Sequence, residues 1–125
     1  MSREQRERDV EWARGIVAPI LARTPRHAIA RYWLATAVDE PQRRRTEAEA
    51  TYRDLLASGA AEPTWETWLI AWCHNRLGVI VLERGLVEEA RAHFLEAGHK
   101  ATAEPERSFA VTQLRSLAER PDAGR

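Results

Sequence analysis

P-T-W-E-T-W-L-I-A-W-C-H-N-R-L-G-V-I-V-L-E-R, from Pro63 to Arg84, is the stretch whose reading decides the fold. Its apolar residues Trp65, Trp68, Leu69, Ile70, Trp72, Cys73, Leu77, Val79, Ile80, Val81 and Leu82 fall on every side of a helix of 3.6 residues per turn, so no face is left for water. A helix that is apolar all round is buried. Glu66, Arg76 and Glu83 interrupt the stretch and deny it the clean apolar length that a bilayer demands. It reads as a core helix that the rest of the chain wraps.

The bulk composition bounds what can wrap it. With 125 residues, 44% of them hydrophobic, the chain has material for a single domain with a real core. Charged residues make up 30% and cancel to zero net charge, so the basic footprint of a nucleic-acid binder or a membrane-surface protein is missing. No nucleic-acid and no membrane partner is expected. Cys73 is the only cysteine, which rules out an intrachain disulfide and suggests a reducing compartment, the cytoplasm. The first ten residues, M-S-R-E-Q-R-E-R-D-V, lack the apolar run of a secretory signal. Lys100 is the sole lysine among many arginines, a bias that goes with GC-rich bacterial genomes.

Outward from the central stretch, apolar residues recur at helical spacing in every segment. Residues 3–22 carry Val10, Ala13, Ile16, Val17, Ile20 and Leu21, with Pro19 expected to kink the last turns. A second helix is predicted over 26–38, with Ala28, Ile29, Tyr32, Trp33, Ala35 and Ala37 as its apolar surface, stopped by Asp39-Glu40-Pro41. Arg43-Arg44-Arg45 is followed at once by Glu47 and Glu49, which reads as a solvated helix start and not a nucleic-acid signal. A third helix then runs over 42–57 on Ala48, Tyr52, Leu55 and Leu56, closed by Ser58-Gly59. Pro63 opens the central helix and Gly85 ends it. Leu86, Ala90, Phe94, Leu95 and Ala97 make a fifth helix ending at Gly98, and Glu104-Pro105 opens a sixth with Phe109, Ala110, Val111, Leu114, Leu117 and Ala118 inside. No strand-period run or hairpin dipeptide occurs, so the expected class is all-α with about six helices. P-D-A-G-R at 121–125 is expected to fray.

Shifting the chain on itself by 42 positions aligns Ala48 with Ala90, Tyr52 with Phe94, Thr36 with Gly78, and Ala61-Glu62-Pro63 with Ala103-Glu104-Pro105. A shift of 35 sets Ala13, Val17 and Ile20 onto Ala48, Tyr52 and Leu55. Such self-similarity indicates an array of antiparallel helical hairpins. The second unit, 71–104, resembles a tetratricopeptide repeat (TPR): Leu77-Gly78, the turn Gly85, then Ala90, Phe94 and Ala97 fall where that family places them. Gly78 and Ala90 are small where two helix backbones approach, and Phe94 fills the space between helices. His74 and Val81 stand where the family prefers aromatics, and Thr102 where it has proline. In the first unit, 29–62, Tyr32, Ala48, Tyr52 and Leu55 fit, while Thr36 and Asp39 depart. The spacing exceeds the family's by about two helical turns, added before the second unit. The resemblance implies a TPR-like α-solenoid, with 1–24 as a packing helix, a degenerate repeat over 26–62, a repeat with a lengthened first helix over 63–104, and a capping helix over 105–120.

It also implies a scaffold that binds a protein or peptide in the groove lined by the first helices. Carried over by position, the groove would hold Ala30, Trp33 and Ala37, then Trp72, Asn75, Arg76, Val79 and Glu83, with Phe109 extending it. Trp65, Trp68 and Trp72 form one stripe. Either they are core, or Trp65 and Trp68 overhang the array as a patch for a partner or for a second copy of the chain. The alternative class is a small-ligand carrier or enzyme with a pocket walled by Trp33, Trp72 and Phe109, with His74, Asn75 or Arg76 as polar contacts. Catalytic, metal and cofactor sites are not expected. Cys73 and His74 are adjacent and point about 100° apart on a helix, His93 and His99 are six apart, and His74 and His93 meet only if a hairpin brings them together. Nothing near Cys73 in sequence would lower its pKa. Glycine-rich phosphate loops and serine elbows are absent.

Overall fold

The computed structural model describes residues 2–59 and 67–119, and the chain divides into two compact units, Met1–Leu55 and Leu56–Arg125. Among the described residues the structure is all-α, with no strand. Helix α1 spans Arg3–Arg23, α2 spans Ala28–Trp33 and continues as a π-helical segment over Leu34–Asp39, and α3 spans Arg45–Gly59. Then follow α4 (Thr67–Glu83), α5 (Val87–Lys100) and α6 (Glu104–Ala118). No helix among the described residues is long and apolar enough to cross a membrane.

In the first unit, Ser2 caps α1 by accepting a hydrogen bond on Oγ from the Gln5 backbone N–H at 3.1 Å, and His27 does the same for α2 through Nδ1 and Ala30. The second helix is not the single α-helix over 26–38 that periodicity predicts. Its last turns widen so that Glu40 N–H reaches the Ala35 carbonyl at 2.9 Å, five residues back. Pro41 supplies the reason: it has no N–H to give, and its ring crowds the carbonyl four residues earlier, at Ala37. Arg43 then takes a left-handed φ of 61°, so α3 begins at Arg45 and not at Gln42.

Val10, Ala13 and Val38 form a buried cluster between α1 and the π-helical segment, flanked by Leu34 and Ala37. Tyr52 anchors α3. Its ring is fully buried, with a centroid 6.0 Å from that of Tyr32, and its hydroxyl donates to Glu40 at 2.5 Å. Arg31 adds an ion pair to Asp54 at 2.7 Å.

In the second unit α4 packs on α5 and α6. From Trp68 to Leu82 no residue is exposed, as expected for a helix that is apolar all round. Pro63 and Trp65 lie outside the described residues. Gly85 makes the turn into α5 at a φ of 80°, a conformation that costs any residue with a Cβ about 1–2 kcal/mol. Val81, Ala90, Phe94 and Leu117 are the buried centre, with Val79, Leu82, Phe109 and Leu114 packed around it.

Gly78 sets how closely α4 and α5 approach. A Cβ there would lie 2.5 Å from Cε1 of Phe94 and 2.7 Å from its Cζ, too close for any ordinary contact. Gly78→Ala should therefore lower unfolding free energy in urea by about 1–3 kcal/mol. Adding Phe94→Leu should recover part of that loss, whereas simple additivity in the double-mutant cycle would mean that the ring is not what Gly78 accommodates.

Candidate functional site

Two groups of residues stand out, one in each unit. In the first unit α1 turns Val10, Ala13 and Val17 inward. Three of its other large apolar residues, Trp12, Ile16 and Ile20, fall on a second ridge and are 72%, 47% and 37% exposed. On α2, Trp33 is 49% exposed. Between the two ridges runs a groove of about 260 Å³, floored by Ala13, Val17 and Ala30 and edged by Ile29 and Ala37.

Of the apolar residues that recur at helical spacing along α1, Ile16 and Ile20 are exposed. Trp12, which helical spacing groups with them, is the most exposed of the three. The signal was legible, because residues 10, 13 and 17 form one apolar stripe and 12, 16 and 20 another, more than a single neighbour can cover. Of the groove residues expected from sequence, Trp33 and Ala37 border this groove and Ala30 lies in its floor.

The others lie in the second unit, on α4 and α6. Trp72 is half-buried, its ring tilted against Phe109 with centroids 5.3 Å apart, and its indole N–H donates to Glu106 Oε1 at 3.0 Å. Asn75 is fully buried and donates through Nδ2 to the Glu106 backbone carbonyl at 3.1 Å. Its amide is thus committed to joining α4 to α6. Glu106 is itself 6% exposed, and its Oε2, like Asn75 Oδ1, has no hydrogen-bond donor among the described residues. Arg76 and Val79 are half-buried and Glu83 is exposed, with Arg76 and Glu83 both engaged by other groups. Trp68 is half-buried and engaged as well, while Trp65 lies outside the described residues.

The α4–α5 hairpin does bring His74 to His93. Their Nδ1 atoms are 3.1 Å apart, close enough for one proton to be shared, and His93 Nε2 lies 3.8 Å from Glu89. Burial, and then the neighbouring imidazole, push His74 down to about 4. Among the described residues no group of three or more His, Cys, Asp and Glu side chains could hold a metal ion. Cys73 is fully buried, and burial pushes its thiol up to about 12, which leaves it a packing residue and not a nucleophile.

No protein-family model matches the chain, and none of the characterised proteins or solved structures compared with it matches either.

Two measurements probe the second unit. Trp72→Phe keeps most of the ring packing but removes the donor to a buried carboxylate, so it should cost about 1–3 kcal/mol in urea unfolding. An unchanged midpoint would mean that the indole N–H contributes nothing. The folded-state pKa of His74 lies below its ordinary value of 6.5, so the unfolded chain takes up the proton first as pH falls. Its contribution is fully present above pH 6.5 and is lost between 6.5 and about 4, with no further loss below. The loss should be under about 3 kcal/mol, reduced by solvent screening at the open edge of the ring. It is read as the difference between wild type and His74→Gln across that window, and parallel stability curves for the two would contradict it.

Proposed function

We propose that this protein is a tetratricopeptide-like interaction module that docks a helical segment of a protein partner on the Trp12–Ile16–Ile20–Trp33 face. The repeat reading draws its support from the α4–α5 hairpin, where Gly78 faces Phe94, Ala90 is fully buried and Gly85 makes a left-handed turn. The docking reading rests on one observation: two tryptophans and two isoleucines, 37–72% exposed, flank a groove lined almost wholly by apolar side chains. They leave on the order of 400 Å² of apolar surface in water, the size of the largest patch on a typical monomer, which is often functional. That surface forgoes on the order of 10 kcal/mol of transfer free energy, the same order as the entropic cost of association that burying it would have to offset. The ridge spacing of i, i+4 and i+8 on α1 suits a partner helix laid along it.

Gly15 offers the test. It is exposed on α1 and has open space around it, so a photoreactive side chain there leaves the ridge intact. Irradiated in the source cells, it should form a specific protein adduct that disappears in Trp12→Glu and Ile16→Glu. Failure to form any protein adduct would remove this reading.

A further inference from the structure

The ridge on α1 carries more information than its hydrophobicity. At 100° per residue, Asp9, Trp12, Ile16, Ile20 and Arg23 all lie within about 40° of one line along the helix. Their spacings run three, four, four, three, so the pattern is symmetric about Ile16. Laid antiparallel against a copy of itself, α1 sets Ile16 beside Ile16. Trp12 comes level with Ile20 of the other copy, and Asp9 with Arg23. The large side chain meets the smaller one, and each acidic end meets a basic end.

Resting on the docking reading above, we infer that the helix occupying this face is α1 of a second copy of the chain, in a two-fold antiparallel dimer centred on Ile16. Three features specify this occupant. Asp9 and Arg23 are both exposed at opposite ends of the ridge, where an antiparallel copy makes two opposite-charge pairs and a parallel one would set like against like. A two-fold interface requires a self-complementary patch, and the ridge has one. The area is also sufficient. Two faces of roughly 400 Å² contribute the apolar part of an interface of about 1,200 Å², the lower end of what specific complexes bury. An interface at this lower end belongs with weak, reversible association.

Sedimentation from micromolar to sub-millimolar concentration decides it. Wild type should pass from monomer to dimer. Ile16→Arg, which places two cations at the axis, should stay monomeric with an unchanged helical circular dichroism spectrum. Asp9→Arg and Arg23→Asp alone should each raise the dissociation constant severalfold, and the double swap should return it toward wild type, which a merely structural role for either residue would not produce. A wild-type monomer at the highest concentration, a dimer indifferent to Ile16→Arg, or a double swap no tighter than the singles would overturn the inference. The Gly15 crosslink separates this failure from that of the docking reading. An adduct of twice the chain mass supports the dimer. An adduct with a different protein overturns the dimer and leaves the docking face standing, and no adduct removes both.

Discussion

The absence of a side chain at Gly78 is the constraint on which the second unit depends. It lets the Phe94 ring lie against the α4 backbone, and that approach brings the polar residues of α4 into contact with α5 and α6. Because the helix has no fully exposed position between Trp68 and Leu82, the polar groups on its buried side must find a protein partner or remain unsatisfied. Asn75 and Trp72 find Glu106, and His74 finds His93. Cys73, with its thiol held protonated, behaves as a small apolar residue. The chemistry that a list of His, Cys, Asn and Arg suggests is therefore largely consumed in holding α4 in place.

Much of this was legible from residues alone. Gly78, Gly85, Ala90 and Phe94 each have one mechanical reason to stand where they do, and Glu104-Pro105 marks a helix start that needs no tertiary context. What escaped depends on which neighbour a face meets. Periodicity shows that α1 is apolar but not that its neighbour covers only the stripe of Val10, Ala13 and Val17. The burial of Glu106, a charged residue in the first turn of α6, follows from the donors Trp72 and Asn75 facing it, which no local pattern encodes. The π-helical segment illustrates the same limit. Asp39-Glu40-Pro41 announces a stop, yet how the preceding turns widen to accommodate Pro41 is a matter of backbone hydrogen bonding.

The tryptophans divide by what their indole groups are bonded to. Trp72 has a carboxylate for its N–H and an aromatic ring for its face, so its removal bears on stability. Trp12 and Trp33 present most or half of their surface to water. A tryptophan adds contact area with few rotatable bonds, so ordering it at an interface costs little entropy. Trp33 meets the buried ring of Tyr32 edge-on at 5.9 Å, and neither it nor Trp12 belongs to the buried cluster of Val10, Ala13 and Val38.

α1 sharpens this argument. It is 21 residues long but buries only Val10, Ala13 and Val17. Its other support is one tertiary hydrogen bond, Arg14 to Gln42 Oε1 at 3.0 Å, and a set of local contacts: the Ser2 cap, the Arg3–Glu7 pair at 3.2 Å, the Gln5–Asp9 hydrogen bond at 3.0 Å and the Arg14–Glu11 pair. Such exposed pairs contribute only a few tenths of a kcal/mol each. A helix supported mainly by its own surface is marginal in water, and most helical stability in proteins comes from packing an apolar face. Anything that covered Trp12, Ile16 and Ile20 would supply to α1 packing that its own unit does not. A ligand occupying that face would therefore raise the stability of the first unit by mass action, linking binding there to its ordering.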